Sequence, residues 1–206
     1  MSEQRGRFIV FEGIDGAGKT TQINLLAERL RAEGRRVMVT AEPTVSVTGG
    51  LLRDALGGIS TRTAGEMAAL FVLDRIFHNV NPVSGIEKML ADGVDVICDR
   101  YYYSSLAYQG SLCDYEWVKH MNVGCAEIRR PDLCVFLDLA PKDAIARITA
   151  RGEATEIYEK EDTLSLFRDT FHRVFASLED RVAIVNAAPA PEVIGAEVLA
   201  AVKQIL

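Results

Sequence analysis

The stretch from Phe8 to Thr21, F-I-V-F-E-G-I-D-G-A-G-K-T-T, constrains the fold of this chain more than any other. An apolar run of four residues leads into a glycine-rich turn, and the apolar residues after Thr21 recur at helical spacing. The pattern predicts a strand, a tight loop and a helix, in that order. Gly13 to Thr20 fits the motif G-x-x-x-x-G-K-[ST], a phosphate-binding loop in this structural context.

The chemistry of this loop suits a nucleotide polyphosphate. Its glycines let backbone N–H groups turn inward, Lys19 adds a mobile positive charge, and the start of a helix adds positive potential. The Thr20 hydroxyl is a candidate ligand of Mg²⁺. We expect the loop to bind a polyphosphate through Gly13, Asp15, Gly16, Ala17, Gly18, Lys19, Thr20 and Thr21.

Length and charge narrow the function classes. With 206 residues the chain is expected to form a single domain over residues 1–206, with a short lid at about 147–161. The net charge of -6 argues against a nucleic-acid partner or an anionic membrane surface, because either would need a broad basic face. No apolar run approaches the length of a membrane span and no signal-peptide core is seen, so we expect a cytoplasmic protein.

The cysteines and histidines give no sign of a metal centre. The four cysteines form no C-x-x-C pair, and Cys98 and Cys134 lie in apolar, strand-like runs, which favours buried reduced thiols. His78, His120 and His172 are scattered, and each is interpreted as a surface or satisfied core residue.

The rest of the chain alternates strand-like and helix-like segments. A parallel sheet with helices on both faces follows from this order, and its ligands would bind at the carboxyl ends of the strands. The prediction is therefore an α/β chain with a three-layer P-loop fold, a five-stranded parallel sheet with helices on both faces, and a short lid. The expected strands are residues 8–11, 37–41, 94–98, 133–139 and 182–185, and the expected helices are residues 19–33, 49–56, 63–79, 82–91, 115–128, 141–150, 163–178 and 191–206.

Asp99 and Arg100 directly follow the third expected strand. An acidic residue at this place commonly approaches Mg²⁺ beside the threonine of the phosphate loop, so Asp99 and Thr20 are the predicted metal residues. On these residues alone, a solvated ion pair between Asp99 and Arg100 is an alternative.

The segment from Asp99 to Gly110, D-R-Y-Y-Y-S-S-L-A-Y-Q-G, resembles the D-R-[YH]-x-x-S-S-x-A-Y-Q-G signature of thymidylate kinases. The phosphate loop, the F-x-x-D-R helix around residues 70–75 and the strand R-P-D-L-C-V-F-L-D-L at residues 130–139 also resemble that family, in the same order. The resemblance implies in-line phosphoryl transfer from ATP to dTMP with Mg²⁺. It also implies a homodimer built through the helices between the second and fourth strands.

The resemblance assigns roles in dTMP binding. Arg100 would hold the 5′-phosphate with Arg53 as a second clamp, while Phe71 would stack on thymine and Arg75 would donate to its O4. Because Phe71 and Arg75 are four residues apart, both can point to one side of a helix. Taken alone, such a pair more often reflects a core residue beside a solvated charge.

Further roles follow from the same resemblance. Ser104 or Ser105 would reach the N3 edge of the base, and Tyr108 would pack against C2′ of the sugar. Asp15 would lie near the 3′-hydroxyl, and Gln109 completes the predicted substrate residues.

The transfer needs positive charge and alignment rather than a base, because a nucleoside monophosphate is already an anion at neutral pH. Lys19 and Arg100 supply part of this charge. The family carries the remaining cation in the phosphate loop or in the lid, and this chain has Gly16 at the loop position. Arg147 and Arg151 are therefore the candidates, although the acidic segment after Arg151 leaves open a solvated helix end.

Two other functions stay open. The chain could phosphorylate another acceptor such as dCMP, UMP or a deoxynucleoside, for which Glu12 is the nearest carboxylate that could act as base. It could be a regulatory nucleotide-binding module whose acidic lid does not drive transfer. A GTPase is disfavoured because no N-K-x-D motif is present. The adenine is expected near Arg147 and the loop at Asn186 and Ala187.

Overall fold

The computed structural model describes residues 5–150 and 161–206. Within these ranges the chain forms one sheet in the order β2-β3-β1-β4-β5, and every neighbouring pair of strands is parallel. The strands are β1 (Phe8–Glu12), β2 (Val37–Ala41), β3 (Asp95–Asp99), β4 (Leu133–Asp138) and β5 (Val182–Asn186). The predicted five-stranded parallel α/β sheet is therefore confirmed.

Helices connect the strands and cover both faces of the sheet. A 3-10 turn at Gln109–Ser111 follows α5. The α-helices of the described residues are α1 (Lys19–Ala32), α2 (Val47–Leu56), α3 (Ala64–Val80), α4 (Ile86–Ala91), α5 (Tyr102–Tyr108), α6 (Tyr115–Val123), α7 (Pro141–Ala150), α8 (Glu161–Ala176) and α9 (Pro191–Lys203).

Two apolar clusters lie on opposite faces of the sheet. In the central strand β1, Ile9 and Phe11 belong to one cluster, whereas Phe8 and Val10 belong to the other. This division follows from the alternation of side chains along a strand. Helices α1 and α9 contribute to the first cluster, and helices α3 to α6 to the second. The predicted reading of Cys98 and Cys134 also agrees with the structure, since both are free and buried.

Helix α5 is the one described helix that the sequence pattern did not predict. Six of its seven residues are buried, so the helix has no polar face. The sequence therefore lacks the spacing of apolar and polar residues that predicts an amphipathic helix. Its first turn is held by the carboxylate of Glu12, which accepts hydrogen bonds from the backbone N–H groups of Tyr101 and Ser104. This support comes from strand β1 and leaves no signal in the sequence of the helix itself.

Two other helices differ most from their predicted bounds. Helix α4 begins at Ile86 instead of Pro82, because the Asn81 side chain accepts from the backbone N–H groups of Val83 and Ser84 and forms a turn there. Helix α6 ends at Val123, followed by Gly124, instead of at Ile128. No helix of the described residues has both the length and the apolarity that a membrane crossing requires.

Candidate active site

The loop between β1 and α1 has the backbone shape of a phosphate cradle. Gly13, Gly16 and Gly18 all have positive φ angles, of 150°, 82° and 95°. At Gly16 a β-carbon would also lie 2.6 Å from the carbonyl oxygen of Ala144 in α7. Conformation and space therefore both favour glycine at position 16, the position at which the resemblance allowed for a loop arginine.

Lys19 is folded back over this loop. Its ammonium donates to the carbonyl oxygens of Gly13 and Ile14 at 3.0 and 3.3 Å and lies 3.8 Å from the Asp15 carboxylate. Burial, together with the nearby charge of Arg100, lowers the pKa of Lys19 to about 8. A polyphosphate bound beside this ammonium would favour its charged form, so phosphate binding and protonation of Lys19 support each other.

Arg100 lies at the end of β3 in a left-handed backbone conformation, with φ of 65°. Its guanidinium pairs with Asp15 and donates to the Ser104 and Tyr108 hydroxyls at 3.1 and 3.4 Å. Burial opposes its charge, but Tyr108, Asp15 and Glu12 outweigh this and raise the pKa of Arg100. A permanent positive charge therefore lies next to the phosphate loop.

Glu12 supports the backbone that carries Arg100. The side chain is fully buried and accepts from the backbone N–H groups of Tyr101 and Ser104 and from the Ser104 hydroxyl at 2.7 Å. Burial raises the pKa of Glu12. Because its oxygens already accept these three hydrogen bonds and it does not line the cavity described next, the geometry argues against a role as base for a nucleoside hydroxyl.

A cavity of about 450 Å³ opens beside Arg100, within the size range of small-molecule sites. Eight of the predicted substrate or phosphate-loop residues line it, so the structure brings them together: Asp15, Phe71, Arg75, Arg100, Ser104, Ser105, Tyr108 and Gln109. Phe71 and Arg75 face the same cavity, as their spacing predicted. The Tyr108 ring packs 4.3 Å from that of Phe167, which also lines the wall.

Several residues of the wall are not among the predicted site residues. Met67 and Arg62 lie at the start of α3 and just before it, and Phe167 lies in α8, far along the chain. Glu42 had a signal that could have identified it, since it directly follows β2 at the carboxyl edge of the sheet, as Arg100 follows β3.

Arg53, the predicted second phosphate clamp, is not among the lining residues in this structure. Its guanidinium donates to the backbone carbonyl of Thr44, in the loop between β2 and α2. That loop is tied to α3 by Asp74, which accepts from the Thr44 N–H at 2.8 Å and from the Thr48 hydroxyl at 2.7 Å. Although burial opposes it, these hydrogen bonds lower the pKa of Asp74.

Of the two predicted metal residues, Asp99 has a side-chain atom that is suited to a Mg²⁺ site. Asp99 ends β3, and its Oδ1 is buried without a hydrogen-bond partner among the described residues. Such an atom fits a cation or a metal-bound water as a partner. Within residues 5–150 and 161–206, no group of three His, Cys, Asp or Glu side chains could hold a metal. Oxygens of a bound nucleotide would therefore have to complete the coordination shell.

Arg147 lies at the expected nucleotide end of the site. Its guanidinium donates to the carbonyl oxygens of Ala187 and Ala188 at 2.8 and 3.2 Å, and Nη1 lies 3.9 Å from where a β-carbon of Gly18 would be. It thus connects α7 to the loop after β5 and lies near the phosphate loop. Arg151, the other candidate, lies outside the described residues.

Comparison with known proteins agrees with this site. The sequence model of the family described as "Thymidylate kinase" matches residues 11–198. A "Probable thymidylate kinase" of Pyrococcus horikoshii is 40% identical over 209 residues, which cover 98% of each chain. A "Thymidylate kinase" of Desulfotalea psychrophila is 36% identical and covers 100% of this chain and 98% of its own length. With the phosphate loop, the Asp99-Arg100 pair and the cavity between them on one sheet edge, these full-length matches show that the chain belongs to the thymidylate kinase family.

Proposed function

We propose that this chain transfers the γ-phosphoryl group of ATP to the 5′-phosphate of dTMP, giving dTDP and ADP. The observation that carries the proposal is the cavity with Arg100 at its phosphate-loop end and Phe71 with Arg75 in its wall. A guanidinium beside the loop suits a phosphate, and an aromatic face beside a second guanidinium suits a pyrimidine. The names of the relatives support the same acceptor.

The donor side of the proposal rests on the loop between β1 and α1. Backbone N–H groups of residues 13–21, together with Lys19 and the helix dipole of α1, would hold the phosphates of ATP. Arg147 and the backbone at Ala187 would border the adenine. Thr20 and Asp99 would hold Mg²⁺, which when bound neutralises charge on the transferred phosphoryl group.

Residues of this chain would act by position and charge. Arg100 orients the acceptor phosphate towards the phosphate loop, and Lys19 and Arg147 add positive charge around the donor. Asp15, which pairs with Arg100 in this structure, would accept from the 3′-hydroxyl of the sugar. Arg53 remains a proposed second contact to the acceptor, and Arg151 a proposed lid cation.

The decisive experiment is an acceptor panel with ATP and Mg²⁺. ADP should form rapidly with dTMP and more slowly with dUMP, because a pocket distinguishes a single methyl group by only about 1–3 kcal/mol. Turnover of dCMP, UMP or thymidine in preference to dTMP would identify a different nucleotide or nucleoside kinase. Nucleotide binding without ADP formation on any acceptor would identify a regulatory module.

Tyr108 is proposed to exclude a ribose 2′-hydroxyl by bulk. We expect Tyr108→Ala to raise kcat/KM for ribo-UMP about tenfold, because the ring no longer fills the space beside C2′. Steady-state kinetics on UMP and dUMP with the variant and wild type measure this change. Since Arg100 also donates to the Tyr108 hydroxyl, Tyr108→Phe serves as a control that keeps the ring and removes this hydroxyl. No gain on UMP with Tyr108→Ala would place sugar discrimination elsewhere.

A homodimer is the last part of the proposal. Leu73, Phe77 and Val80 expose 49%, 40% and 43% of their surface along one side of α3. Leu51 exposes 40% on α2, which packs beside α3. An apolar stripe on two adjacent helices suits a second copy of the same chain. We expect sedimentation equilibrium to give twice the monomer mass of 22.6 kDa, and Phe77→Glu to give the monomer.

A further inference from the structure

Arg75 is the most buried of the cationic side chains that line the acceptor cavity. It is 1% exposed and projects from α3. Its Nε–H donates to Oε2 of Glu42 at 2.8 Å, and Nη2 lies 2.7 Å from the same oxygen. Nη1 donates to the Ser105 hydroxyl and to Asn122 Oδ1. A buried guanidinium held by three side chains has little freedom to turn.

Of the five N–H hydrogens of the Arg75 guanidinium, one can donate to a ligand. A guanidinium has five N–H hydrogens and no acceptor. Nε and one hydrogen of Nη2 face Glu42, and the two hydrogens of Nη1 serve Ser105 and Asn122. Among the described residues, no acceptor is found for the second hydrogen of Nη2, on the edge of the planar group away from Glu42. Because Arg75 lines the cavity, this hydrogen is available to a bound base.

The orientation of Glu42 depends in turn on His78, which is 6% exposed. His78 Nδ1 lies 3.0 Å from Oε1 of Glu42, and Nε2 lies 2.8 Å from the hydroxyl of Thr40. A carboxylate only accepts, so Nδ1 carries a proton, and in the neutral imidazole Nε2 then accepts from the Thr40 hydroxyl. The hydrogen bonds that join Thr40 to His78, His78 to Glu42 and Glu42 to Arg75 therefore each have one direction.

We propose that His78 and Glu42 are positioning residues that fix Arg75 and thereby determine which pyrimidine the cavity accepts. The proposal rests on the proposed function, since it deepens the account of its acceptor. With the guanidinium fixed, the free N–H requires an acceptor on the facing edge of the base. A carbonyl oxygen at C4, as in thymine or uracil, satisfies it, whereas the amino group of cytosine presents a second donor and leaves both unpaired.

Two substitutions of similar size separate hydrogen bonding from packing. His78→Asn keeps an N–H group that can donate to Glu42, whereas His78→Leu does not. We expect His78→Leu to raise KM for dTMP about tenfold and to lower the ratio of kcat/KM for dTMP over dCMP about tenfold, because Arg75 is no longer fixed. KM for ATP and kcat at saturating dTMP should stay within about threefold of the wild type. His78→Asn should restore KM and the ratio to within about threefold.

Several results would overturn the proposal. Unchanged KM and ratio in His78→Leu would do so, as would equal losses in His78→Asn, which would attribute the effect to packing. His120→Gln, an exposed histidine in α6, controls for the loss of a histidine. If His78→Leu does not fold, Thr40→Val removes the hydroxyl donor at constant shape, and a KM for dTMP within twofold of the wild type then refutes the proposal. Wild-type enzyme inactive on dTMP would instead refute the proposed function.

Discussion

Replacing Arg100 by methionine should lower kcat/KM for dTMP by about a thousandfold or more. The change keeps an unbranched apolar stem, shortens the side chain and removes the charge that faces both the phosphate loop and the cavity. Loss of one preorganised charged contact to a transferring phosphoryl group costs about 10²–10³ in kcat, and weaker acceptor binding adds to this. Steady-state kinetics with ATP and dTMP would measure both parts.

The controls for this prediction distinguish charge from geometry. Arg100→Lys keeps a charge but loses the planar fork, so its activity should fall between those of wild type and Arg100→Met. Arg29→Met removes an exposed arginine from α1 and should leave kcat/KM unchanged. Activity of Arg100→Met within tenfold of the wild type would exclude Arg100 as the main anchor of the acceptor phosphate.

Replacing Gly16 by alanine should lower kcat/KM for ATP about a hundredfold and also destabilise the protein. The new β-carbon would lie 2.6 Å from the carbonyl oxygen of Ala144, so the phosphate loop or α7 must shift. A displaced loop no longer aims its N–H groups at the donor phosphates, and small misplacements at a reacting centre cost about 10²-fold. The positive φ of 82° adds strain of about 1–2 kcal/mol.

Gly34 offers a matched control for this substitution. Its φ of 83° is almost identical, but a β-carbon there meets no atom within 4 Å. Gly34→Ala should therefore reduce the free energy of unfolding by about 1 kcal/mol and leave the kinetics unchanged. Chemical denaturation and steady-state kinetics on both variants separate strain from steric conflict. Similar activity in both would show that contact with α7 does not shape the loop.

The phosphate loop was predictable because its function is encoded within a single stretch. Lys19 and the glycines at positions 13, 16 and 18 act through the local backbone, so spacing alone identified them. The strands could also be predicted from the sequence. The centres of β1, β3 and β4 are buried apolar runs, as expected for a parallel sheet.

The parts that could not be predicted depend on contacts between distant segments. Helix α5 is stabilised by Glu12 from β1, and its tyrosines are held by Asp180, which accepts from the hydroxyls of Tyr102 and Tyr103. Local propensity carries no record of such partners. Phe167 lines the cavity from α8, which is far along the chain from the other wall residues. Arg53 has the predicted helical position, but its side chain direction follows from the Thr44 carbonyl.

Functional side chains lie close together on α3, and this matters for any attempt to change the acceptor specificity of the protein. Within two turns of this helix, Phe71 and Arg75 face the cavity, Asp74 secures the loop after β2, and His78 holds the end of β2. A substitution in this stretch that is meant to admit a new base would therefore also weaken the contacts of α3 with β2 and with the loop after β2. Redesign of the pocket should start at Met67 and Leu112, which line the cavity without hydrogen-bonding through their side chains, and leave this stretch of α3 intact.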